Sequence, residues 1–355
     1  IAKSGYDAAK AAYNAVANNQ PANTASSTDG SNAYKNTYQK AFDKYKADAS
    51  QGAVALFTNN DANDPNKAAS VKESVSSADN NAFNTGVDNA KAALVAAQTK
   101  QPFTSTDANS PANDVYNATK DAYNAVLNGQ APQTDAELSQ ANKSDAYKAA
   151  YKSALSQAQV VATAGSNDDD DNSQNYKSNP LAVDVYQKAQ AKAKQAYNDA
   201  LANTDPNLTS HNGNDKGSVT YKAVQNAIND YLANNNKAHS DGSTAGISDA
   251  NKDSYSKFYN KAQADIEKAV QDGIRAYENG TPIDNIAALE GANAALGQVA
   301  KEAATRAKQG HDDAKAGTAT TSNLANDEAY LAGRQLVADE KTGHDAAVAD
   351  TTNKP

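Results

Sequence analysis

The sequence contains no cysteine, no methionine and no tryptophan. The absence of cysteine excludes disulfides, thiol catalysis and cysteine-bound zinc, and the absence of methionine removes a side chain that is prone to oxidation. Both absences suit a chain that works outside the cell. Arginine is nearly absent too, because it occurs only at Arg275, Arg306 and Arg334. Scattered basic residues and a pI near 5.0 argue against a nucleic-acid partner.

Large aliphatic and phenylalanine side chains are scarce. Leucine, isoleucine, valine and phenylalanine together make up about 12% of the chain, below the roughly 20% under which disorder is usual. The net charge of −9 is modest for 355 residues, so the second sign of disorder is weak. Alanine packs helices closely, and the 18 tyrosines supply rings with a polar tip. The composition therefore predicts ordered, slender helices with cores of alanine and tyrosine.

A long internal repeat dominates the chain. The segment from Tyr6 to Val16 recurs almost unchanged from Tyr116 to Val126, and fainter echoes begin at Tyr221 and Tyr330. A copied scaffold with no distinct catalytic segment indicates a repeat architecture. The predicted periods are residues 1–110, 111–215 and 216–320, with a partial fourth at 321–355.

Each full period is predicted to hold three helices. In the long helix of the first period, Tyr34, Tyr38, Phe42 and Tyr45 recur at spacings of three and four, which places them on one stripe. The predicted helices are Ser4–Ala17, Asn32–Phe57, Asn66–Thr99, Val115–Leu127, Asp135–Ala162, Pro180–Ala202, Ser218–Ala233, Ser248–Asn279 and Ile283–Gln309. The predicted fold is all-α, with tandem three-helix bundles stacked into an elongated rod.

The histidines do not have the spacing of a helical metal site. Two ligands at i and i+4 are the usual arrangement, and no pair among the four histidines has it; they are His211, His239, His311 and His344. Gly-His-Asp occurs at 310–312 and again at 343–345, and both copies are predicted to mark helix ends with a left-handed glycine cap. With no Walker-type phosphate loop and no nucleophile–base motif, the sequence predicts neither an enzyme nor a cofactor site.

One dense run of charge interrupts the second period. Asp168 to Asp171 form four consecutive carboxylates, and oxygen-rich loops can hold calcium. Calcium loops place their ligands at alternate positions around a glycine turn and close with a glutamate, whereas this run does neither. A solvated loop is the favoured interpretation, with calcium binding left open.

The tyrosine stripes are the one feature with binding potential. Rows of exposed aromatic rings stack sugars and fill partner pockets, and Tyr13, Tyr38, Tyr123 and Tyr151 are the candidates for such a surface. At helical spacing the same rings can instead form the core. Their burial distinguishes the two interpretations.

The repeats resemble those of large cell-wall-anchored surface proteins, or adhesins, of lactic acid bacteria. The resemblance is carried by the segments Tyr6–Val16, Tyr116–Val126, Ala33–Tyr45 and Ala146–Leu155, and by abundant asparagine with lysine far above arginine. It implies secretion and attachment to the cell wall. No signal peptide and no Leu-Pro-x-Thr-Gly sorting motif occur in this sequence, so attachment is expected through segments outside it.

The resulting expectation is a non-catalytic stalk that projects a binding tip from a Gram-positive cell wall. The alternative is that the repeats are themselves adhesive modules that bind host extracellular proteins or glycans. No apolar run approaches the roughly 20 residues that a membrane span needs, so no membrane insertion is expected. The sequence does not indicate an oligomeric state.

Overall fold

The computed structural model describes residues 2–23, 32–58, 77–103, 105–167, 170–202, 216–233, 247–321 and 324–352. These residues form twelve α-helices and no strand, which confirms the predicted all-α class. The helices are α1 Ala2–Ala17, α2 Asn32–Thr58, α3 Ser77–Gln98, α4 Pro111–Asn128, α5 Asp135–Gln140, α6 Asp145–Asn167, α7 Pro180–Ala202, α8 Lys216–Ala233, α9 Asp249–Glu278, α10 Ile283–Ile286, α11 Ala294–Lys315 and α12 Glu328–Thr352.

The chain divides into two compact units, Ile1–Ala189 and Gln190–Pro355. In the first unit, α1 packs on the first half of α2, and a second cluster runs from the end of α2 through α3, α4 and α6 into the start of α7. In the second unit, one cluster joins the end of α7 to α8, α9, α11 and the start of α12.

Alanine and tyrosine fill these cores, as the composition predicts. The largest fully buried side chains are mostly tyrosines: Tyr123, Tyr147, Tyr151, Tyr186, Tyr221, Tyr255, Tyr259 and Tyr330. On the long helices they stack in pairs one turn apart, with ring centroids 6.2 Å apart for Tyr147 and Tyr151 and 6.1 Å apart for Tyr255 and Tyr259. Slender helices thus bury large rings without a thick aliphatic core.

Neighbouring helices joined by long return segments run parallel. Near the start of α6, the Ser144 hydroxyl donates to Asp114 of α4 and the Tyr147 hydroxyl donates to Asp121 of α4. The partners follow one another in the same direction along both helices. In the second unit, Asn226 and Asp230 of α8 bind Tyr255 and Tyr259 of α9 in the same way. Between α4 and α6 the chain therefore runs back through residues 129–144, which include α5, before α6 begins.

Glycine allows four helix pairs to cross at backbone contact. A Cβ atom added at Gly52 would lie 2.1 Å from the Phe83 carbonyl oxygen, and one added at Gly86 would lie 2.1 Å from that of Ala49. Gly310 and Gly333 form the same reciprocal contact between α11 and α12, with Tyr330 and Ala307 as their partners. Gly165 of α6 meets Tyr186 of α7, and Gly273 of α9 meets Ala300 of α11. At each crossing only hydrogen on Cα leaves room for the facing carbonyl.

Two predicted helices need correction. The predicted helix Asp135–Ala162 is two helices, because Asn142 adopts a left-handed φ of 50° and Ser144 accepts the Tyr147 N–H. The predicted helix Ile283–Gln309 breaks at Gly291, where φ is 58°, into α10, a 3₁₀ turn and α11. Within the described residues the predicted helix Asn66–Thr99 is seen from Ser77 onward, and 66–76 lie outside them.

The two Gly-His-Asp segments do not mark helix ends, so that prediction is wrong. Gly310 lies inside α11 and Gly343 inside α12. Gly310 is required by the crossing with α12 and not by a cap. Gly343 has nothing within 4 Å of an added Cβ.

Candidate functional site

The tyrosine hydroxyls fasten the return segments to the helices. Tyr38 accepts the backbone N–H of Asn23 at 3.1 Å, and Tyr151 accepts that of Gln133 at the same distance. Residue 151 lies 113 residues after residue 38 and residue 133 lies 110 after residue 23, so the bond recurs with the repeat. This contact explains why the stripe carries tyrosine and not phenylalanine at these positions.

Three of the four tyrosines considered for a binding surface lie in the core. Tyr38, Tyr123 and Tyr151 are each at most 2% exposed, and Tyr123 also accepts the Asn179 side-chain N–H at 3.0 Å. Tyr13 is half-buried, with its ring edge-on to Tyr45 at 5.7 Å. These positions match the alternative interpretation of the stripes, in which the rings pack between helices.

The buried tyrosines predict a loss of stability in alkali. Burial raises the pKa of Tyr231 to about 12, and it raises the pKa values of Tyr147 and Tyr259, whose hydroxyls also donate to Asp121 and Asp230. Unfolded tyrosines ionise near pH ~10, so above that pH the unfolded chain binds fewer protons than the folded chain. The free energy of unfolding should therefore fall as the pH rises.

Urea unfolding followed by circular dichroism at a series of pH values measures this effect. The midpoint should stay level up to about pH 9 and fall between about pH 10 and 12. A midpoint that stays level to about pH 12 would contradict the assignment of these hydroxyls as protonated core groups.

The histidines and the aspartate run do not form a metal site among the residues that the structure describes. His211, His239, Asp168 and Asp169 lie outside the described residues. The Ser173 N–H donates to the Asp171 carboxylate at 2.9 Å, which is an ordinary turn contact.

The two remaining histidines differ in their surroundings. His311 has its Nδ1 3.0 Å from the Tyr277 hydroxyl and its Nε2 3.3 Å from the Glu340 carboxylate. It therefore links α9, α11 and α12. His344 is exposed and its nearest partner is its neighbour Asp345.

The second unit contains a groove of about 540 Å³ between α8, α9 and the segment that leads into α12. Its lining combines mostly buried aliphatic side chains and Tyr231 with amides and with charges of both signs. The lining residues on the three elements are Ala227 and Tyr231, then Gln263, Ala264, Ile266, Glu267, Lys268, Val270 and Gln271, then Asn326 and Glu328. The Gln271 amide donates to the Glu328 carboxylate at 2.6 Å, which links α9 to the first residue of α12.

A buried charge pair stands behind Tyr231. The Arg306 guanidinium lies 5.4 Å from the centroid of the Tyr231 ring and donates to the Asp327 carboxylate at 3.2 Å. Arg306 is 4% exposed and Asp327 is 1% exposed. Among the described residues, neither Nη2 of Arg306 nor the Tyr231 hydroxyl has a hydrogen-bond partner. Within that part of the chain, two unpaired polar atoms are therefore buried behind the groove.

The repeat provides an internal comparison for this groove. In the first unit, the corresponding junction is lined by Val16, Phe42, Lys46 and Asp107 among others, and only about 10 Å³ remains free there. Tyr6 and Tyr221 are 215 residues apart, and the same offset aligns Val16 with Tyr231. On the longer helices Gly52 and Gly273 are 221 residues apart, and that offset aligns Phe42 with Gln263. The first junction is nearly closed, with Val16 and Phe42 beside the ion pair of Lys46 and Asp107, whereas the second junction is open.

The sequence contains a signal for this groove that is not a motif. The repeat has valine at positions 16 and 126 but tyrosine at 231, and one of only three arginines lies at 306. A departure from the repeat at a buried position, together with a rare arginine, marks a site that differs from its copies.

Comparison with protein-family models, with curated proteins and with solved structures found no match. Within the described residues, no helix is long and apolar enough to cross a membrane.

Proposed function

We propose that the chain is a non-catalytic repeat region that acts as a spacer, projecting a binding tip from the surface of a Gram-positive cell. In this proposal the chain is extracellular, is held at the cell wall through other segments, and consists of helical units stacked into a rod. Acidic, asparagine-rich surfaces keep such an array soluble and extended.

The recurrence of one scaffold carries the proposal. Glycine crossings occur at four helix pairs, and tyrosine hydroxyls hold return segments at corresponding positions of the first two periods. These copied features lie in the framework of the helices, where they set the spacing of one helix to the next. A repeat array in which the helix–helix contacts are copied suits a spacer, because its length can change by whole repeats without new contacts.

A second candidate function is adhesion by the repeats themselves, with a host extracellular protein or glycan as partner. The groove beside Tyr231 is the observation that favours it, because a plain spacer needs no open polar cavity. Repeated weak sites would add avidity.

Deletion of residues 111–215 tests the spacer proposal. This deletion joins Ser110, the N-cap residue of α4, to Lys216 at the start of α8, so one period is removed in register. The shortened chain should keep its helix content and its cooperative unfolding, because each repeat contacts its neighbours. Its maximum dimension in small-angle X-ray scattering should decrease, and adhesion of cells that display it should weaken through loss of reach.

Deletion of residues 111–189 is the matched control, since it ends within α7 and breaks the register. That variant should lose helix content and aggregate. If the in-register deletion left the maximum dimension unchanged, or altered which surface the cells bind, the spacer proposal would be wrong.

A further inference from the structure

We propose that the groove between α8, α9 and the start of α12 binds a small neutral ligand rich in hydroxyl groups, of the size of one or two sugar rings. The inference stands apart from the spacer proposal, because a spacer needs no ligand. The volume of about 540 Å³ lies within the range of roughly 300 to 1,000 Å³ that small-molecule sites occupy.

The lining selects the class of ligand. Glu267 and Glu328 would repel an anion, while Lys268 and the buried Arg306 beside the wall oppose a cation. The amides of Gln263, Gln271 and Asn326 can each donate and accept, which suits hydroxyl groups. An entirely apolar ligand would remove exposed amides and charges from water without replacing those hydrogen bonds, at a cost in desolvation.

The lining also offers a small apolar area. Ala264 is exposed on α9, whereas Ile266, Val270 and Tyr231 line the groove with only 3–4% of their surface exposed. A ligand would therefore be held and oriented mainly by hydrogen bonds to the amides, with a small apolar contact beside them.

The second junction also departs from its copy in the first unit. Val16 and Phe42 lie where the second junction has Tyr231 and Gln263, and about 10 Å³ is open at the first junction against about 540 Å³ at the second. Within the described residues, Tyr231 and Arg306 each have a buried polar atom without a partner behind the groove, which is destabilising. A destabilising departure from the repeat at one junction is expected where that junction has a use of its own.

Saturation-transfer NMR on the whole chain tests the proposal, with glucose, galactose, N-acetylglucosamine, maltose and lactose as probes. At least one probe should give a saturable signal. Gln263→Phe should abolish it, because phenylalanine fills the groove as Phe42 does in the first unit, where it stacks 6.1 Å from Tyr38. The same variant should retain its helical circular dichroism, which separates a filled site from a misfolded chain.

Two further variants sharpen the test. Gln271→Leu removes one exposed amide from the lining at similar volume, and it should weaken binding about tenfold while the helical circular dichroism is retained. Lys301→Ala, on α11 at an exposed pair with Asp284, should change neither binding nor fold. The proposal is overturned if no sugar gives a saturable signal, if the signal survives Gln263→Phe, or if free glycine or lysine competes for the site as well as the sugars do.

Discussion

Replacing Gly310 with alanine should destabilise the second unit by about 2 to 4 kcal/mol. The new methyl group would lie 1.9 Å from the carbonyl oxygen of Tyr330. That oxygen belongs to the backbone of α12, so it cannot shift without moving the helix. The whole of α12 would have to move off α11. Chemical denaturation followed by circular dichroism measures the loss of unfolding free energy.

Gly343→Ala provides the matched control. Gly343 lies in the same Gly-His-Asp context and also within a helix, but no atom lies within 4 Å of its added Cβ. Alanine should therefore raise stability, by up to about 1 kcal/mol, through helix propensity alone. Equal effects of the two substitutions would show that the α11–α12 crossing is not as close as described.

Replacing Arg306 with alanine should cost about 3–5 kcal/mol, because it leaves the Asp327 carboxylate buried without its cation. The Asp327 side chain is 0% exposed, and it must remain in place because it also accepts the Tyr330 N–H at 2.9 Å at the start of α12. The free energy of unfolding at neutral pH measures the cost.

Two comparisons isolate the charge. The double variant Arg306→Met with Asp327→Asn removes both charges and keeps an oxygen for the Tyr330 N–H, so most of the stability should return. Arg275→Ala breaks a more exposed ion pair with Asp272 and should cost less than about 1 kcal/mol. If Arg306→Ala is as mild as Arg275→Ala, the buried pair is not a stabilising contact.

The helical class and most helix positions could be predicted from the sequence, because spacing of apolar residues fixes the buried face of a helix. Pro180–Ala202 agrees with α7 at both ends. The breaks at Asn142 and Gly291 were missed, since alanine-rich segments on both sides continue the helical pattern across them. The role of Gly310 was missed because a glycine inside a helix and a glycine at its end look alike until the facing helix is known.

The lining of the groove could not be predicted for a different reason. Tyr231 and Arg306 stand out as departures from the repeat, but the lining combines α8, α9 and the start of α12, and no periodicity within one helix reveals what faces it from another. The tyrosine stripes were visible, but their burial depends on the return segments, whose backbone donates to Tyr38 and Tyr151.

The parallel pairing of neighbouring helices also bears on how quickly the chain folds. The side-chain bonds between α4 and α6 join residues 26 and 30 apart, and those between α8 and α9 join residues 29 apart. The sequence separation of these contacting residues does not grow when more units are added. Their mean sequence separation divided by the chain length therefore falls, and a low value of this ratio favours rapid folding. Each new helix finds its partner within the segment most recently made, so an array of this kind can lengthen without slowing the search of any one part.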